Sequence, residues 1–143
     1  MLRQVEEWHK RLRHPPRTVP IRWQRSGIGE FRCVEKSSHA QEPPRTWTIR
    51  ELLSSGELYR EGLAMQHCVA SYVRACAGRS SSIWSMRIEN EERRRRVLTI
   101  EVDVKNRMIW QARRRRNARV NGKAREILER WAQQEQLTIA GHL

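Results

Sequence analysis

The chain has 143 residues, enough for one domain with a hydrophobic core, and 29 Lys and Arg against 16 Asp and Glu give it a formal net charge of +13. Six tryptophans argue against a disordered chain, and apolar runs of only a few residues exclude a membrane-spanning helix, so we expect no membrane partner. The positive charge favours a polyanionic partner, of which nucleic acid is the usual candidate.

The first 45 residues are expected to form an N-terminal subregion. Apolar residues at helical spacing predict a short helix over 2–13, which Pro15-Pro16 ends. Two extended runs, 19–25 and 29–36, flank Gly27 and predict a β-hairpin. A polar connector with Pro43-Pro44 follows, and we place a domain boundary there, between 1–45 and 46–143.

The remaining residues predict an α+β core domain. Thr48, with Glu51 at the capping-box position, is expected to start a helix. A longer helix is expected from Glu57 to about Ala77, ended by Gly78. The apolar stripe of this helix predicts that it packs on a sheet.

Three extended runs at 83–88, 97–104 and 107–111 predict that sheet as a three-stranded antiparallel meander. Leu98 and Ile100 alternate with Thr99 and Glu101, which is typical of a sheet with one face buried and the other in water. A final amphipathic helix is expected around 124–131. The predicted fold is therefore this meander packed against a long helix and a C-terminal helix, with a small N-terminal helix and hairpin.

Two runs of four arginines, Arg93–Arg96 and Arg113–Arg116, lie in the first loop of the meander and just after its third strand. We call them the two arginine tetrads. Both positions belong to one end of an up-down-up sheet, so the tetrads are expected to converge. Guanidinium groups bind phosphate bidentately. The predicted nucleic-acid-binding residues are Arg93, Arg94, Arg95, Arg96, Arg113, Arg114, Arg115, Arg116 and Asn117.

The alternative interpretation of the tetrads is a solvated rim that improves solubility. Trp84 and Trp110 could stack on bases, but strand parity assigns both to the buried face of the sheet, so we interpret them as core residues.

Polar side chains occupy the opposite face of the meander. With the inward residues aligned, Glu101 is expected opposite Ser85 and Gln111, and Arg87 opposite Thr99. A carboxylate, a guanidinium, a hydroxyl and an amide on adjacent strands could form a catalytic cluster, or could simply be a polar outer face.

His67 lies on the flank of the apolar stripe of the predicted long helix, where it could serve as a general base or a phosphate ligand. Its neighbour Cys68 falls on the stripe and is interpreted as a small core residue. The candidate catalytic residues are therefore His67, Arg87 and Glu101, together with Ser85 and Gln111.

The three cysteines, Cys33, Cys68 and Cys76, are an odd set, and the charged first residues do not resemble a secretory signal. We therefore expect reduced thiols and a cytoplasmic location. No metal-ligand spacing, phosphate loop or dinucleotide fingerprint occurs, so we predict no metal and no cofactor.

The runs EGLAMQHCVASY, IWSMR, LTIEV and WQARRRRN form an ordered set of motifs between Trp47 and Trp131. Over this stretch the sequence resembles the PcfJ-like family, proteins found with conjugative plasmids, integrative elements and phages. The resembling residues are Glu61, Gly62, Met65, His67, Cys68, Val69, Tyr72, Gly78, Ile83, Ser85, Arg87, Thr99, Ile100, Glu101, Gln111 and Asn117. The resemblance implies a mobile-element setting but no known reaction. Members of the family tend to have glycine where this chain has Arg114.

Three functions remain open at this point. The first is a nucleic-acid-binding accessory protein of a mobile element or defence complex, with the tetrads as its phosphate contacts. The second is a metal-independent nuclease, or a related nucleic-acid-processing enzyme that uses the polar face of the sheet; His67 and Glu101 would act as base and acid, and Arg87 would stabilise charge. The third is an assembly module whose basic ends hold RNA or an acidic partner protein. The sequence favours binding over catalysis.

Overall fold

A computed structural model describes residues 21–36, 43–67, 72–120 and 122–143. The strands are β1 Phe31–Glu35, β2 Arg45–Leu52, β3 Ser81–Glu89, β4 Arg94–Asp103, β5 Met108–Arg113 and β6 Thr138–Ile139. The helices are α1 Ser55–Met65, α2 Val73–Ala77 and α3 Gly122–Glu135, with a 3-10 helix at Arg115–Asn117. Within these ranges, no helix combines the length and the apolar character needed to cross a bilayer. The predicted helix over 2–13 and residue Cys68 lie outside them.

The six strands form one mixed sheet in their order along the chain. Strands β1 to β5 pair antiparallel with their neighbours, and β6 adds to β5 in parallel. β1, which precedes the predicted boundary at residue 45, pairs along its whole length with β2. The domain division itself stays a prediction.

The predicted architecture is wrong. The three-stranded meander is present as β3, β4 and β5, but these are part of a six-stranded sheet. The region expected as one long helix contains two separate helices, because the chain leaves α1 at Gln66 with a left-handed backbone (φ 54°). The expected hairpin around Gly27 is also wrong: in the described residues β1 pairs with β2, and 21–30 contribute only an isolated bridge from Arg22 to Ser54.

The helix expected to start at Thr48 is a strand. Thr46-Trp47-Thr48-Ile49 is β-branched and aromatic, and in β2 it finds strand neighbours on both sides, so strand propensity prevails over the capping pattern. The actual N-cap is Ser54, whose hydroxyl accepts a hydrogen bond from the Glu57 amide at 3.1 Å. The Glu57 carboxylate in turn accepts from the amide of Leu53.

Helices cover both faces of the sheet. On one face, α3 packs Ile127, Leu128 and Trp131 against the centre of the sheet, and the Trp131 ring lies 4.9 Å from that of Trp84. On the other face, Leu58 of α1 and Cys76 of α2 pack with Leu52 and Ile83 in a smaller apolar cluster. The face expected to meet water is therefore partly covered, and Ser85 on it is fully buried.

Two β-bulges shift the alternation of side chains. The pairing of β3 with β4 shifts between Met86 and Arg87, and that of β4 with β5 shifts between Glu101 and Val102. The second shift leaves Trp110 without a partner across the strand. Trp84 is buried as predicted, but Trp110 is 46% exposed and contacts the His142 ring, so its assignment to the core is wrong.

Candidate functional site

Strand pairing arranges one face of the sheet in rows that run across the strands. One row is Arg32, Thr48, Arg87 and Arg96, and the next is Arg50, Ser85, Thr99 and Arg113. Directly paired residues point to the same side of a sheet. We call this side the arginine face; its arginines are Arg32, Arg50, Arg87, Arg94, Arg96 and Arg113.

The bulge at Val97 places Arg96 on the arginine face. Strict alternation from Thr99 would turn Arg96 toward the opposite, apolar core, but the extra residue reverses its direction. Val97 instead packs against that core. The bulge therefore turns one arginine of the first tetrad away from the apolar core and toward Glu61 of α1.

That partner is Glu61, a carboxylate with no exposed surface. The Thr99 hydroxyl donates to Glu61 Oε2 at 2.6 Å, and the Ser85 hydroxyl is also hydrogen-bonded to Glu61. Arg96 Nε lies 2.9 Å from Glu61 Oε1, which is an ion-pair distance, although the N–H is not aligned for a hydrogen bond. These contacts fasten α1 to β3 and β4.

Burial raises the pKa of Glu61 above its ordinary value because a buried carboxylate loses its hydration. The hydroxyls of Thr99 and Ser85 and the charges of Arg96 and Arg87 oppose this rise. Thr99, Ser85 and the two arginines of the row thus favour the charged form of Glu61, although burial still raises its pKa overall.

Arg87 belongs to the same network but has a different role. Its Nε donates to Ser85 Oγ at 3.1 Å, so Ser85 links it to Glu61. Burial, and then the charges of Arg96 and Arg50, lower the pKa of Arg87. In the described ranges no carboxylate lies within ion-pair distance of Arg87. Arg87 is therefore a half-buried cation without a paired anion.

The expected register of the polar residues is correct only in part. Glu101 lies opposite Gln111 as predicted, but its other neighbour is Ile83 rather than Ser85. Ser85 pairs with Thr99, and Arg87 pairs with Arg96 instead of Thr99. The error follows from the bulge at Val97, which strict alternation could not anticipate.

Glu101 has its own surroundings, apart from Glu61. Its carboxylate is hydrogen-bonded to the side chains of Tyr72 and Ser81, while burial raises its pKa. Glu101 lies two rows from Arg87, a distance of about 13 Å along the strands at the usual rise per residue. The structure thus brings Ser85 and Arg87 together, but it does not bring Glu101 to them.

His67 follows the end of α1 and is buried. Its Nε2 has no hydrogen-bond partner among the described residues, and burial lowers the pKa of the ring. His67 is therefore neutral at pH 7, the form that can accept a proton. The adjacent Gln66 accepts a hydrogen bond from Arg116 Nε at 2.7 Å, which ties this end of α1 to the second tetrad.

The tetrads divide between surface and interior. Arg93, Arg94 and Arg95 are exposed, whereas Arg96 is paired with Glu61. In the second tetrad Arg113 is half-buried in β5, and Arg114, Arg115 and Arg116 are exposed. Asn117 closes the 3-10 helix, and its side chain lies outside the described part of the chain.

The backbone at Arg114 accommodates an arginine at the position where the resemblance leads us to expect glycine. Arg114 has φ −77° and ψ 175°, an extended conformation open to any residue. The left-handed residue of this turn is Arg116, with φ 59°. The departure therefore introduces no backbone strain at position 114.

Glu61 is the functional-site residue that the sequence interpretation missed. It stands between the apolar positions Leu58 and Met65 at helical spacing, so a carboxylate lies on the buried stripe of α1. A charged residue at such a position requires a buried partner, and this signal was available from the sequence. Its partner, Arg96, was not identifiable because it depends on the bulge.

A metal ion requires a set of ligand side chains held close together. Among the described residues, no group of three or more His, Cys, Asp or Glu side chains is arranged to hold a metal ion. Cys76 is buried and burial raises its thiol pKa to about 12, so this thiol is protonated at neutral pH. Cys33 and Cys76 are both free of disulfides.

Three comparisons with known proteins test which family this chain belongs to. Comparisons with curated proteins and with solved structures found no match for this chain. A family model described as PcfJ-like protein matches residues 32–128, a range that runs from β1 into α3 and includes Glu61, His67 and all eight tetrad arginines. Because the match covers most of the chain, this protein belongs to the PcfJ-like family.

Proposed function

We propose that this protein is a nucleic-acid-binding accessory protein of a mobile genetic element or defence complex, and that it acts in the cytoplasm. The two arginine tetrads bind the phosphate backbone. The observation that carries this proposal is the strand register. Because β4 and β5 are antiparallel, the start of β4 and the end of β5 lie toward the same end of the sheet. Arg113 pairs with Thr99, close to Arg96. Arginines that are distant in sequence are thus available to one stretch of backbone.

The surface arginines supply the contacts. Arg93, Arg94, Arg95 and Arg115 have no carboxylate within ion-pair distance in the described ranges, so their charges are not neutralised by neighbours. Arg96 and Arg116 are held by Glu61 and Gln66. We therefore expect two to three phosphate contacts from each tetrad, and these contacts should carry little sequence information.

Two matched double variants test the proposal. Arg94 and Arg95 are replaced by Ala in one, and Arg114 and Arg115 in the other; both leave the internal contacts of Arg96 and Arg116 intact. Arg74 and Lys105, which are exposed and lie outside the tetrads, provide a control with the same loss of charge. Affinity for unrelated oligonucleotides is measured between about 50 and 200 mM salt, the range in which phosphate contacts change affinity strongly.

Each tetrad variant should bind all sequences more weakly, and the log–log salt slope should fall by about one for each phosphate contact removed. The control should keep a slope close to that of the wild type. Unchanged slopes in both tetrad variants would mean that these arginines only improve solubility. An equal effect of the control would mean that net charge, rather than the placement of the arginines, governs binding.

The nuclease alternative has weaker support. It needs His67, Glu101 and Arg87 to act on one phosphate, yet Glu101 is engaged by Tyr72 and Ser81 and lies two rows from Arg87. A general acid or base must lie within hydrogen-bonding distance of the atom that it protonates or deprotonates. A strand-cleavage assay of the wild type and Glu101→Gln, with and without EDTA, tests it: loss of cleavage in the variant would place Glu101 in a reaction.

A further inference from the structure

Among the described residues, two neighbouring polar side chains on the arginine face are incompletely paired. Thr48 and Arg87 lie directly opposite each other on β2 and β3. The Thr48 side chain is only 4% exposed, and its Oγ1 has no hydrogen-bond partner within the described ranges. Arg87 donates through Nε to Ser85 but has no carboxylate at ion-pair distance there. A buried hydroxyl without a partner is costly, and so is a half-buried guanidinium without an ion-pair partner; one anion would satisfy both.

The charges around this pair favour an anion. Arg32 lies opposite Thr48 on β1, and Arg96 lies opposite Arg87 on β4, so the row has a guanidinium on either side. Arg50 lies one row away, close enough to lower the pKa of Arg87. Like charges opposed across strands destabilise a sheet, so an anion seated among them would relieve repulsion.

Nearby acidic groups are too few or already engaged. Glu61 is paired with Arg96 and bonded to Thr99, and the Glu57 carboxylate accepts from the amide of Leu53. Glu89, two residues from Arg87 on β3, faces Arg94 across the strands. Glu61 and Glu57 attract the Arg87 guanidinium, but neither forms an ion pair with it in the described ranges, so its positive charge is only partly compensated.

We propose that Thr48 and Arg87 form a binding site for a phosphate group, with the guanidinium of Arg32 at its outer edge. The Arg87 Nη groups and the Thr48 hydroxyl donate to the phosphate oxygens, and Ser85 holds the guanidinium in place through Nε. The site is distinct from the exposed tetrad arginines. The phosphate could belong to a nucleic acid or to a small phosphorylated compound, since the chemistry of recognition is the same.

Calorimetric titration of the full chain with inorganic phosphate, at constant ionic strength, tests the site. Arg87→Gln removes the charge and should weaken phosphate binding about tenfold or more, because charge-assisted hydrogen bonds are lost. Thr48→Val removes one hydroxyl at nearly constant shape and should weaken binding about fivefold. Arg74→Gln, the same change at an exposed arginine that lies outside both the tetrads and this site, is the matched control and should bind within about twofold of the wild type.

Thr48→Val also separates binding from folding. Because the hydroxyl has no partner among the described residues, its removal should leave the phosphate-free protein as stable as the wild type or more stable, while phosphate affinity falls. Arg87→Lys keeps the charge without the Nε contact to Ser85 and should bind with intermediate affinity. Absence of saturable phosphate binding by the wild type, or wild-type affinity in both Arg87→Gln and Thr48→Val, would overturn the proposal.

Competition identifies the source of the phosphate. Displacement of inorganic phosphate by a 5′-phosphorylated oligonucleotide, but not by ribose 5-phosphate, would indicate nucleic acid; the reverse would indicate a small phosphorylated compound. Either result supports the site. The phosphate titration is also independent of the tetrad test. If the Arg94 and Arg95 double variant still binds inorganic phosphate, this site is supported, even if the salt slopes show that the tetrads do not contact phosphate.

Discussion

Removal of the Arg96 guanidinium should leave the Glu61 carboxylate, which has no exposed surface, without its nearest opposite charge. Arg96→Met keeps much of the side-chain volume and removes only the charge and the polar end. Breaking a buried ion pair from one side typically costs about 3 kcal/mol or more. For a domain of this size, that loss corresponds to a decrease in Tm of roughly 10 °C.

The loss should depend on pH in a defined direction. Burial already raises the pKa of Glu61, and removal of Arg96 raises it further. A carboxyl whose folded pKa exceeds its unfolded value favours folding at pH below the unfolded value, and this contribution is lost as pH rises through the folded pKa. The penalty of Arg96→Met should therefore be large at pH 8 and smaller near pH 5, changing by at most about 1.4 kcal/mol per pH unit.

Urea unfolding at pH 5, 6.5 and 8 measures these values. Arg95→Met is the matched control, because Arg95 is the adjacent exposed arginine and has no ion pair in the described ranges; it should change stability by less than about 0.5 kcal/mol. A double variant, Glu61→Met with Arg96→Met, should be more stable than Arg96→Met alone, since no buried charge remains. Equal effects of Arg96→Met and Arg95→Met, or a penalty independent of pH, would refute the role assigned to the pair.

Two further predictions follow from buried groups. Burial lowers the pKa of His67, so folding should lose stability as pH falls below about 6.5; His67→Gln should flatten the decrease in unfolding free energy between pH 7.5 and 5.5, and an unchanged pH profile would contradict the burial of the ring. Burial raises the pKa of Cys76 to about 12, so its thiol should resist alkylation in the native protein at pH 8 while the half-buried Cys33 reacts. Titration in denaturant should find three free thiols, and finding one would indicate a disulfide.

The sequence by itself determined the elements whose patterns are local. Alternation in 97–104 predicted β4, the runs on either side predicted β3 and β5, and apolar spacing around Trp131 predicted α3. The motifs also identified the family, which the match over 32–128 shows. Even the pairing of Glu101 with Gln111 followed from alternation alone. In each case the information lies within a few residues of the element itself.

Only the tertiary structure decided the remaining features, because these features depend on which distant segments of the chain pack together. Thr48 became part of a strand since β1 and β3 offered it neighbours on both sides, a contact invisible to the local capping pattern. The bulges at Val97 and Trp110 changed which side chains face α1, so Arg96 met Glu61 and Trp110 became exposed. A single extra residue in a strand reverses the direction in which all the side chains beyond it point. The arginine face could therefore be identified only once the strands were paired.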